Sequence, residues 1–146
     1  EASEGVRRMR CSALECYLSQ SSAPPNLEKH LSLLGSFLHD KDVNTRRLAL
    51  GTFRQLDRAS ASWPHDQLLR LFKVYEASLK RVLCLCEPSE GDAGSHGEAL
   101  SALAVLAGRG LVAESDCRRV ITAAAVRLQC AWNADVAGGL TDLVRR

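Results

Sequence analysis

Apolar residues recur every three or four positions along almost the whole chain, and no stretch alternates apolar and polar with a period of two. The pattern predicts helices throughout. A first segment, about residues 3–19, carries Val6, Met9, Ala13, Leu14, Tyr17 and Leu18 on one stripe. Residues 19–25 break it, because two successive prolines, Pro24 and Pro25, cannot continue a helix. Asn26 is the expected N-cap of a second helix over 27–39, with Leu27, Leu31, Leu34 and Leu38 as its stripe. Asp40, Lys41 and Asp42 make a tight polar turn, and Asp42 caps a third helix over about 43–58.

Pro64 opens a fourth and longest helix, about 64–86, with Leu68, Phe72, Tyr75, Leu79, Val82 and Cys86 facing the core. Residues 87–97 are small, polar and acidic and are expected to form a flexible loop. Ser95, with Glu98 three places on, reads as a capping box for a fifth helix over 97–107. That segment is apolar almost all round, so it belongs in the middle of the structure. A sixth helix starts at Ser115 or Asp116 and runs to about Trp132. Asn133 caps a seventh over 134–144, which Gly138 and Gly139 weaken by about 1 kcal/mol each. The expectation is an all-α protein of about seven helices.

Composition changes this picture little. At 146 residues, 46% hydrophobic and 25% charged, the chain is ordinary for a single globular domain spanning residues 1–146. The longest apolar runs fall well short of the ~20 residues needed to cross a bilayer, and the acidic start has no signal-peptide core. The missing initiator Met, and an end directly after a helical pattern, read as a piece of a longer intracellular protein, cytoplasmic or nuclear. A net charge of +2 and only 5% aromatic residues argue against a nucleic-acid binder.

The six cysteines all fall in helical segments, most of them flanked closely by Leu, Ala or Val, so they read as reduced thiols rather than three disulfides. No paired CxxC or HxxxH spacing marks a metal site, and His30, His39, His65 and His96 lie singly in different segments. There is no phosphate-binding glycine loop, GxSxG or HExxH, so neither catalysis nor a cofactor is expected. Cys84, beside Lys80 and Arg81, is the best candidate for a reactive thiol. Trp63 and Trp132 read as core or helix-junction anchors.

The second and third helices carry the most specific pattern. Asp40 or Asp42 in the turn is followed by Thr45, Arg46, Ala49 and Leu50. Arg46 falls inside the apolar arc, where a charge needs a partner, and the turn aspartates are the nearest candidates. Asp40, Asp42 and Arg46 are therefore expected to form a structural clamp. Over residues 27–58 this arrangement resembles a HEAT or armadillo-type repeat. The resemblance implies antiparallel helix pairs stacked into an α-solenoid, a fold used to hold partner proteins; a compact irregular bundle is the alternative.

Basic residues collect on the outer faces: Arg47, Arg54 and Arg58 on the third helix, and Arg70, Lys73, Lys80 and Arg81 on the fourth. If these stripes merge, they make a groove for an acidic protein or peptide. Nucleic acid is the less favoured ligand, no membrane partner is expected, and self-association through an unpaired terminal helix is a further reading. The Arg7-Arg8-Met9-Arg10 run has the look of a localisation signal but is too short to carry one.

Overall fold

A computed structural model describes residues 3–18, 26–87 and 93–145. Among these residues there is no strand. The helices are α1 (Glu4–Leu18), α2 (Leu27–Phe37), α3 (Val43–Ala59), α4 (His65–Leu85), α5 (Ala93–Gly108), α6 (Glu114–Cys130) and α7 (Ala134–Val144), with a 3-10 turn at Ser60–Ser62. The all-α class read from periodicity is the observed one. The expected break at 19–25 lies outside the described residues.

The chain divides into two compact units, Glu1–Ala77 and Ser78–Arg146, and α4 runs through the point of division. In the first unit α1 packs on α3, and α2 touches both. Leu27, Leu31, Leu34 and Phe37 of α2 are buried against Ala49, Leu50, Phe53 and Leu56 of α3 and their neighbours. Full burial of each such Leu or Phe contributes about 1.5–3 kcal/mol. Phe53 meets Tyr75 of α4 with ring centroids 5.5 Å apart, and Tyr17 meets His30 edge-on at 4.8 Å.

Two apolar stripes are rotated from the expected ones. On α1 the buried side chains are Cys11, Leu14 and Leu18, whereas Val6, Met9 and Ala13 are exposed. The Cys11 line is the one that meets α3, because Arg7, one turn earlier on it, must reach the α2–α3 turn. On α4 the buried residues are Leu71, Tyr75, Ser78, Val82 and Leu85, with Leu68, Phe72 and Leu79 only half-buried. Trp63 is buried as expected, but Trp132 is 75% exposed and anchors no core.

The caps separate into local successes and failures. Asp42 accepts hydrogen bonds from the backbone N–H groups of Asn44 and Thr45, and Asn133 from those of Asp135 and Val136. Asn26 stands before α2 in the left-handed region (φ 57°) and makes no side-chain cap.

In the second unit α5 packs along α7, and α6 lies at the side of α7. Helix α5 begins at Ala93, four residues before Gly97, so the predicted loop over 87–97 is shorter than expected. Residues 88–92 of it lie outside the described residues. Ser95 and His96 are buried inside the first turns of α5, which overturns Ser95 as a capping residue. The physical reason is tertiary. Gly97 lies so close to the Asp135 backbone of α7 that this polar stretch is held as helix by packing. Residues 99–106 of α5 are all buried.

Candidate functional site

At the α2–α3 turn, where Asp40 and Asp42 were expected to pair with Arg46, the carboxylates meet other residues. The two aspartates are taken by adjacent arginines of α1. Arg7 donates to Asp40 from Nε at 2.7 Å and from Nη2 at 3.1 Å, and Arg8 donates to Asp42 from Nε at 2.7 Å and Nη2 at 3.3 Å. Both are fork-on-fork contacts, a geometry only arginine supplies. The Asp42 carboxylate also accepts from Thr45 N–H at 3.1 Å and Thr45 Oγ1 at 2.8 Å. Asp40 in turn accepts the Asp42 N–H at 2.9 Å. Arg46 reaches the turn through its carbonyl oxygens, donating from Nη1 to Asp40 O at 2.8 Å and Lys41 O at 3.1 Å.

The electrostatics follow from this geometry. The Arg8 guanidinium holds the Asp42 carboxyl well below the usual carboxylate range, aided by Thr45, against the opposing cost of burial. Arg7 lowers Asp40 in the same way. Asp42 raises Arg8 further above the ordinary guanidinium value. Both carboxylates are therefore ionised and held by fixed donors, which suits a joint between helices rather than proton transfer. One turn further along α1, burial pushes the Cys11 thiol up to about 12, so it is protonated and unreactive at neutral pH.

The predicted basic stripe is only partly assembled. Arg54 and Arg58 of α3 and Lys73 of α4 are exposed in the first unit, and Arg47 is half-buried. Arg70 is tied to Glu28 Oε1 of α2 at 3.4 Å. Lys80 is exposed and Arg81 half-buried, and both fall in the second unit. Among the described residues, no ion pair is found for Arg47, Arg58 or Lys73.

All six thiols are free, with Cys11 and Cys86 buried, Cys117 half-buried and Cys16, Cys84 and Cys130 exposed. Among the described residues no cluster of three or more His, Cys, Asp or Glu side chains could hold a metal ion. The sequence reading missed two features. Arg7 and Arg8 hold the turn aspartates, and His96 is a buried polar residue in contact with Arg127. Two adjacent arginines and two aspartates in one turn are visible in the chain, but nothing local pairs residues more than thirty positions apart.

Set against family models, curated proteins and solved structures, the chain matches none of them. What defines its class is the helices themselves: this is an all-α protein. No described helix is long and apolar enough to cross a membrane.

Proposed function

We propose that the chain is a non-catalytic helical scaffold of the α-solenoid kind, working inside the cell, that holds an acidic protein or peptide. The observation that carries this reading is the distribution of charge in the first unit. The two turn aspartates are consumed by Arg7 and Arg8, so they do not neutralise the cations on the outer face of α3. Arg58 and Lys73 stay exposed without a carboxylate among the described residues, and they are free to meet one from outside. Helical layering supports the solenoid half of the proposal: α1 stacks on α3 with α2 beside them, and α5 stacks on α7 with α6 beside it. Stacked helix pairs bury apolar faces that single pairs cannot.

The test is binding of a fluorescein-labelled poly-Glu peptide, with a DNA duplex of similar length as competitor. Poly-Glu is expected to bind at low salt. The double variant Arg58→Glu with Lys73→Glu should lose at least tenfold in affinity, because a like charge replaces each attractive one, with an unchanged far-UV spectrum. No binding at low salt sinks the proposal. A preference for DNA, with affinity falling steeply in log salt, makes the nucleic-acid reading the correct one. Self-association is the second alternative, favoured by one observation: Val6, Met9 (71% exposed), Ala13 and Cys16 form an uncovered apolar line on α1. Its sign is a solution mass above 15.9 kDa that Met9→Lys returns to the monomer.

A further inference from the structure

One cation of the basic face is already met from within the chain. Arg70 of α4 stands with Nε 3.4 Å from Oε1 of Glu28, in the first turn of α2. Both residues belong to the first unit. The contact differs in kind from the ion pairs at the α2–α3 turn. There Arg7 and Arg8 reach Asp40 and Asp42 at 2.7 Å, and the aspartate side chains are only 8% and 6% exposed. Here the arginine and glutamate side chains are 45% and 74% exposed. Among the described residues the pair completes no hydrogen bond. Water solvates two such charges nearly as well as they solvate each other, so the contact adds little to the fold and is open to exchange.

Lys73 follows Arg70 by three positions on α4, so the two share a face with Cβ atoms about 5–6 Å apart. Lys73 is exposed, and no carboxylate stands within ion-pair distance of it among the described residues, Glu76 on the next turn included. The face thus offers one lysine open to a carboxylate and one arginine that already carries one. Glu28 marks where a carboxylate seats on Arg70.

We propose, resting on the acidic-partner reading above, that Glu28 is a built-in competitor which the partner displaces from Arg70, so that Arg70 and Lys73 together receive two carboxylates of the bound segment. Exchange at Arg70 replaces one carboxylate by another and is near neutral by itself, so an isolated carboxylate gains nothing there. A segment already held at Lys73 presents its second carboxylate at high local concentration and wins the exchange. The contact therefore favours segments with two carboxylates about one turn apart. Glu28 has a second role, since a carboxylate in the first turn of α2 complements the helix dipole. That role involves neither Arg70 nor a ligand, and a mutant cycle through Arg70 separates the two.

The experiment measures labelled poly-Glu binding to the whole chain at low salt, by fluorescence anisotropy, for wild type and four variants. Glu28→Gln is expected to bind about two- to fivefold tighter, the fold-change that matches loss of an exposed ion pair. Glu76→Gln removes the same charge near Lys73 without touching Arg70, so its gain should be clearly smaller. In the Arg70→Gln background, Glu28→Gln should gain no more than that control. Each side chain is exposed, and the far-UV spectrum and denaturant midpoint confirm that the variants fold. If Glu28→Gln gains no more than Glu76→Gln, or gains equally with and without Arg70, Glu28 acts only through long-range charge and the competitor proposal is wrong, while the acidic-partner reading stands. If neither wild type nor Glu28→Gln binds poly-Glu, that reading falls and the competitor with it. Binding by Glu28→Gln alone supports both.

Discussion

Substituting Gly97 or Gly139 by alanine is expected to cost the second unit about 3 kcal/mol, near the top of the range for overpacking a close contact. A Cβ at Gly97 would stand 2.6 Å from the Asp135 carbonyl carbon, and closer still to its oxygen. A Cβ at Gly139 would meet the Gly97 carbonyl and stand 2.9 Å from Leu100 Cβ. The obstacles are backbone, so no rotamer change relieves them; α5 and α7 must move apart. For a unit of this size the loss is roughly a 10–20 °C drop in Tm. Gly138, the next residue in the chain, is the internal control. A Cβ there meets nothing, so Gly138→Ala should be neutral or stabilise by up to ~1 kcal/mol through helix propensity. The double variant Gly97→Ala with Gly139→Ala should cost less than the sum, because one displacement of α7 relieves both clashes. Thermal unfolding followed by circular dichroism checks all four.

That pair of glycines also marks the limit of what the chain discloses about itself. From sequence, Gly138 and Gly139 are two equal weaknesses in a helix. In the structure one is idle and the other is the contact that lets two helix backbones approach. Propensity is local, and the difference between them comes from a residue some forty positions away. The same holds at the start of α5. Ser95, His96 and Gly97 look like loop by composition, yet Gly97 packs on α7 and draws its polar neighbours into the helix.

Where the determining interaction is local, the sequence was legible. Asp42 and Asn133 cap the helices they precede because their partners lie two and three residues on. The bounds of α7 agree with the pattern for the same reason. Asn26 has capping chemistry but the wrong backbone angle, and identity alone does not report φ. Arg46 was legible as a residue needing a partner at the turn. Its partner atoms were not, since the carboxylates were already committed to Arg7 and Arg8 from another helix. The rotated stripes on α1 and α4 have a related origin. A helix of mixed face offers several apolar arcs, and the neighbour it meets selects one.

The second large effect belongs to Asp42, which joins three functions in one carboxylate. It caps α3, fixes the Thr45 side chain and receives Arg8 from α1. Losing an N-cap costs about 0.5–2 kcal/mol and losing charged hydrogen bonds about 1.5–3. The roles share one group and overlap, so Asp42→Ala is expected to destabilise the first unit by about 2–4 kcal/mol. Arg8 is 42% exposed, and water takes over its charge when the carboxylate goes, which keeps the cost below that of a fully buried pair. Asp42→Asn keeps an acceptor for the cap and loses only the charge, so it should fall between alanine and wild type. The pH dependence separates the two contributions. Both turn carboxylates are held below their ordinary range in the folded state, so their stabilisation is full above the unfolded carboxylate value, near pH ~4, and is lost as the pH falls further. Denaturant melts at pH 7 and pH 3 should show the gap between wild type and Asp42→Asn narrowing in acid, because the unfolded chain takes up a proton there that the ion-paired carboxylate of the folded state resists. If the two stay equally far apart at both pH values, the carboxylate acts through its shape and capping geometry, and the ion pair to Arg8 contributes nothing to stability.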